Sequence, residues 1–201
     1  MSTPLPATSA GQRRILLCRG LALEYFTLAW NVVGIVVLTI AVLATRSVAL
    51  GSFGLDSLIE IGASTVVVWE LSGTGEQRQR RALRLIGIAF ALLSAYLLVQ
   101  STIAPATGHR PERGVLGVVW TGVTVGVMFV LATAKSHTGR ALGNPVLTTE
   151  GRVTFVDGLL ATAVLLGVTL DTAFGWWWAD PLAGYVIVYY AALEARACLT
   201  H

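Results

Sequence analysis

The stretch SVALGSFGLDSLIEIGASTVVVWEL, residues 47–71, decides how the chain is read. It is apolar almost throughout and long enough to cross a bilayer, which takes about 20 helical residues. Yet Asp56 and Glu60 stand near its middle. Four residues apart on a helix, two carboxylates stack one turn from each other on a single face. A charged group at the bilayer centre costs about 2.5–3.5 kcal/mol even on the mildest insertion scale. A membrane helix that carries two such groups needs a partner for them or a use.

Working outward, the rest of the chain repeats the apolar pattern. Of 201 residues, 55% are hydrophobic and only 12% charged, with a mean hydropathy of +0.72. A soluble domain carries about a quarter charged residues, so too little polar surface is left to coat a globule in water. The runs predict an all-α membrane protein of six spans, at 21–44, 47–71, 82–103, 114–134, 149–172 and 180–197. Residues 1–20, with Pro4, Pro6, Arg13 and Arg14, read as a disordered cytoplasmic tail, 21–197 as one membrane domain and 198–201 as a short C-terminal tail. Breaks fall at Arg46, Ser72–Gly75, Pro105–Pro111 and Gly143–Pro145. Asp180 and Pro181 suit an N-cap and first turn for the last span, after an interfacial Trp176–Trp178 cluster.

Orientation follows from the 14 basic residues. With the N-terminus inside, the cytoplasmic segments hold Arg13, Arg14, Arg19, Arg78, Arg80, Arg81, Arg84, Lys135, Arg140, Arg152 and Arg196. Only Arg46, Arg110 and Arg113 fall outside. That asymmetry places both termini in the cytoplasm, and the inner (plasma) membrane of the cell is the expected location. The same placement accounts for the formal charge of +3 without nucleic acid, because no aromatic residues interleave with the basic ones as such a surface requires.

Within the spans the acids concentrate on the second and fifth. Spans three and four read as free of interior charge. Span five carries Asp157, and Glu150, Thr154 and Asp157 fall at i, i+4 and i+7, a single polar stripe. If that stripe faces Asp56 and Glu60, oxygen ligands converge at mid-membrane. Such ligands suit divalent cations, and three clustered anions cannot all stay ionised without a cation or a proton. Exchanging one for the other is transport chemistry. The alternative is that the acids are protonated and hydrogen-bond across helices as packing contacts. Glu24 and Asn31 on span one are further candidates, Asn31 as a helix contact or a fourth ligand. Glu70 lies where snorkelling is cheap and reads as structural. His109, His137 and His201 fall in loops or at the terminus, and Cys18 and Cys198 form no metal-type spacing. No nucleophile is paired with a base, so an enzyme is not expected.

The acids four apart in DSLIE, the sequence EGRVTFVDGLLATAVLLG around Asp157, and ADPLAG opening span six resemble the cation diffusion facilitator (cation efflux) family. The resemblance covers about residues 21–197. It implies export of a divalent metal from the cytosol, usually against protons and usually by a homodimer, with ligands at Asp56, Glu60 and Asp157. Glu150, Thr154, Asn31 and Glu24 are accessory candidates, Glu150 and Thr154 along the cytoplasmic approach. It also implies that a chain ending at His201 lacks the family's C-terminal cytoplasmic domain. Zinc is the expectation from the family, but Val153 stands where zinc-selective relatives often carry histidine, and an all-oxygen site leaves manganese or iron open. A non-transporting metal-binding or regulatory membrane protein of the same fold is the alternative, and an organic cation is a weaker alternative substrate.

Overall fold

Each apolar run becomes a helix, and all but the second extend past an expected end. The computed structural model describes the backbone of residues 10–45, 48–107, 115–174 and 179–199. Side chains are described for 10–40, 43, 57–103, 118–166, 185 and 188–199. Its elements are α1 (Ala10–Thr45), α2 (Val48–Leu71), α3 (Glu76–Thr107), α4 (Val115–Leu142), α5 (Pro145–Phe174) and α6 (Ala179–Leu199). There is no strand among the described residues.

The helices correct several expected boundaries. Residues 10–20, expected as part of a disordered tail, form the first turns of α1. Gln12, Arg13, Arg14, Leu16 and Leu17 are good helix formers, and Leu17 and Leu21 pack against the core. Likewise α3 starts at Glu76, α4 continues to Leu142 and α5 starts at Pro145, all beyond the apolar limits. Hydropathy measures where a helix would meet lipid, whereas the backbone ladder continues until a residue breaks it. Gly143 is such a breaker. It ends α4 with φ of 63°, its N–H bonded to Arg140 O at 3.1 Å and the Asn144 N–H to Gly139 O at 2.9 Å, the Schellman pattern. Asn144 then caps α5, its Oδ1 accepting from the Leu147 N–H at 2.9 Å, with Pro145 in the first helical position. The expected turns at Arg46 and Gly108–Pro111, the Trp176–Trp178 cluster and the Asp180 cap lie outside the described residues or side chains.

Packing sorts the helices into two groups. α1 packs on α2 and α4, α5 on α4 and α2, so these four close a ring; α3 and α6 pair with each other and lie against α2 and α5. The α3–α6 pair is tied by Ser94 Oγ donating to Val188 O at 3.2 Å. Between that pair and the ring lies the apolar core, including Val67 of α2, Ile86, Phe90 and Leu93 of α3, Val153 and Val156 of α5 and Ala191 of α6. The interior of the ring is different. Glu24, Thr27, Asn31, Glu60, Ser64, Thr124, Lys135, Thr138, Glu150, Thr154 and Asp157 are all buried.

Outside, the polarity is reversed. Val32, Val36, Ile40, Leu43, Leu92, Val99, Val119 and Val130 are exposed. A protein surrounded by water buries such residues and keeps Lys and Glu out. Among the described residues, three helices, over Ala10–Ile40, Glu76–Ile103 and Val118–Leu142, are long and apolar enough to cross a membrane. Apolar faces turned outward and polar groups satisfied inward are what a lipid solvent requires.

Candidate functional site

Two polar layers occupy the ring. The first surrounds a narrow cavity with room for about one water-sized particle, lined by Trp30, Asn31 and Gly34 of α1, Ser57 and Glu60 of α2, Trp120, Thr124 and Met128 of α4, and Asp157 of α5. Glu60 and Asp157, read from the sequence as ligands on two different helices, thus share one space. Asn31 joins them: its Nδ2 donates to Glu60 Oε2 at 2.8 Å and to Thr27 O at 3.0 Å. Asp56 stands one turn before Glu60 on α2, and its side chain lies outside those described. Among the described residues no three His, Cys, Asp or Glu groups come together at metal-binding distance.

The cavity is built with unmet polar demand. Glu60 Oε1, Thr124 Oγ1 and Trp30 Nε1 are buried without a hydrogen-bond partner among the described residues. Each such atom costs about 1–3 kcal/mol, so a guest that accepts or donates to them is favoured. Trp30 and Trp120 stack at one wall with ring centroids 4.8 Å apart and planes 13° from parallel. The donor set is mostly oxygen, with the Met128 thioether as the soft exception. Oxygen donors suit hard divalent cations.

The second layer lies seven residues away along α1 (Glu24 against Asn31) and along α5 (Glu150 against Asp157), about 10 Å at the helical rise. At its centre is Lys135, with no exposed surface. Its Nζ lies 2.7 Å from both Glu150 oxygens, 3.2 Å from Glu24 Oε2 and 3.2 Å from Thr154 Oγ1. Ser64 of α2 donates to Glu150 Oε1 at 3.1 Å. All four ring helices therefore meet in this layer. Close approach of α4 and α5 makes it possible. A Cβ on Gly151 would come within 2.5 Å of Ser136 Oγ and 2.8 Å of the Ser136 backbone nitrogen.

This corrects one reading directly. Lys135, counted with the cytoplasmic loop residues, is inside the protein, because α4 runs eight residues past the expected end of span four at 134. Span four is therefore not free of interior charge. Glu150 and Thr154, expected along the approach to the site, and Glu24, an accessory candidate, line this second layer rather than the cavity. Glu70, read as structural, is buried and accepts two hydrogen bonds from Asn144 Nδ2, at 3.2 and 3.0 Å. His137 is exposed, Cys18 and Cys198 are unbonded to each other, and His109 and His201 lie outside the described residues.

Sequence reasoning assigned no role to Trp30, Trp120, Thr124 or Met128. A signal existed: Thr121, Thr124, Met128, Lys135 and Thr138 recur at steps of three, four and seven, one face of α4. Threonine and methionine are common enough in membrane helices that the stripe stood out only beside the acids facing it.

Comparison with known families gives a long match. Residues 25–200 match a family described as the cation efflux transmembrane domain. The matched segment contains Glu60, Asp157 and Glu150 and all of the cavity-lining residues, and it begins one residue after Glu24.

Proposed function

The chain belongs to the cation efflux family, whose members move divalent metal cations across membranes, and from that premise we propose that it exports such an ion from the cytosol in exchange for protons. In this reading all six helices span the membrane, with both termini in the cytoplasm and two copies forming a dimer. The metal is bound by Glu60, Asp157 and Asp56, with Asn31 holding the Glu60 carboxylate. The observation that carries it is the meeting of Glu60 and Asp157, from α2 and α5, on one narrow cavity inside a ring whose outer faces are apolar.

The chemistry follows from the donors. A divalent ion at the cavity neutralises the carboxylates, and its departure leaves them to take protons, since clustered acids at mid-membrane do not stay ionised together. Binding thus alternates between metal and proton, which is the coupling an antiporter needs. Rocking of helices around the site supplies alternating access. The oxygen-rich lining favours manganese or iron, while zinc remains the substrate expected from the family. Val153, where a ligating histidine would stand, is buried in the apolar core and does not line the cavity.

Metal flux into proteoliposomes under an imposed pH gradient tests this. Wild-type protein is expected to move zinc or manganese with opposite proton movement, and Glu60→Ala or Asp157→Ala to abolish it. Metal binding without flux would establish the non-transporting alternative; flux unaffected by Asp157→Ala would remove the site.

A further inference from the structure

The metal reading leaves one buried charge unused. Lys135 lies in the layer beside the cavity, enclosed by oxygen: both Glu150 oxygens at 2.7 Å, Glu24 Oε2 at 3.2 Å and Thr154 Oγ1 at 3.2 Å. As a fastening this is poor design, because a buried ion pair is commonly no more stabilising than apolar groups of the same volume. As a cation site it is well made. Two carboxylates from different helices and a hydroxyl converge on a single point, and the ammonium there is a compact point charge. An all-oxygen shell of that kind also suits a divalent ion.

We infer that Lys135 is a tethered cation filling a second cation site, formed by Glu24, Glu150 and Thr154, and that it thereby denies this layer to divalent metal. The layer spans the ring from α1 across to α5, on the cytoplasmic side of the cavity in the proposed topology, so a metal ion entering toward Glu60 and Asp157 passes a site that already holds its cation. Two formal negative charges and one positive leave the layer at −1, which repels anions while offering a metal no vacant carboxylate pair. Lys135 then acts as a specificity-determining residue: it confines metal to one site per chain. The inference rests on the proposed transport reading only for the identity of the excluded ion; the enclosure of Lys135 stands without it.

The test counts ions. Detergent-solubilised full-length protein is titrated with manganese(II), bound metal being read by equilibrium dialysis and by electron paramagnetic resonance. Wild type is expected to bind one ion per chain and Lys135→Met two. The added site should weaken at least tenfold in Lys135→Met combined with Glu150→Gln, and Lys135→Arg should keep the wild-type count. Folded Lys135→Met with an unchanged count overturns the inference while leaving the cavity site intact. No ion on wild type but one on Lys135→Met supports the inference and overturns the cavity site instead. Lys135→Gln, whose amide still hydrogen-bonds both acids, gives the same reading if Lys135→Met yields no folded protein. Folding of either variant only with manganese present supports the inference. Failure of both to fold with or without metal overturns it, because Lys135 is then a structural rivet and not a replaceable occupant.

Discussion

Removing the side-chain amide of Asn31 is expected to weaken metal binding while leaving the fold in place. Asn31 Nδ2 donates to Glu60 Oε2 at 2.8 Å, and the other Glu60 oxygen has no hydrogen-bond partner among the described residues. The amide is thus a contact that orients the carboxylate across the cavity. A hydrogen bond to a charged group is worth about 1.5–3 kcal/mol. Independently, loss of a group that orients a metal ligand typically costs about 10–100-fold in affinity, which is about 1.4–2.7 kcal/mol. The two estimates agree, so Asn31→Leu, nearly isosteric, should raise the metal Kd by about 10–100-fold. Isothermal titration with manganese or zinc measures it, alongside a thermal melt without metal to verify folding. A folded Asn31→Leu protein whose Kd lies within twofold of wild type would refute the positioning role. A rise of several thousandfold would refute it differently, by making Asn31 a direct ligand.

Other expectations follow from single contacts. Asn144→Ala removes both the α5 cap and the donor to Glu70, and should lower stability by about 2–3 kcal/mol in a detergent melt; Asn144→Gly tests whether the Glu70 contact or the cap dominates. Gly151→Ala forces a methyl against the α4 backbone at Ser136 and should cost about 1–3 kcal/mol, whereas Gly126→Ala, with nothing within 4 Å, should be neutral or slightly stabilising. Arg152 and Glu194 pair at 2.8 Å but are solvent-facing, so Arg152→Ala should change stability by less than about 1 kcal/mol. A larger loss would show that this α5–α6 contact is shielded.

Much of this architecture was legible in residue order because a lipid solvent imposes simple rules. Six apolar runs became six helices, and the acids at Glu60 and Asp157 came to one cavity because each lies on the inward stripe of its own helix. What escaped was the behaviour of helix ends and of isolated positive charge. Lys135 follows a long apolar run, and a basic residue there looks like an anchor at the membrane edge. Whether it snorkels outward or turns inward depends on what the neighbouring helices offer, and Glu24 and Glu150 lie 111 and 15 residues away in sequence. Burial of Lys135 is therefore a property of three helices together. The same holds for Trp30 and Trp120, whose stacking across α1 and α4 no local pattern announces.

The short Gly143–Asn144 link and the close contact at Gly151 carry a mechanical consequence. α4 and α5 are clasped as one lever, and Lys135 and Glu150 both ride on it. Glu24 and Ser64 ride on the opposing lever, α1 with α2. Any hinge that parts the two levers tears Lys135 from Glu24 and Ser64 from Glu150, yet carries Lys135 and Glu150 away together. The lysine is therefore a passenger of one half of the machine, and the latch it forms has a single breakable side.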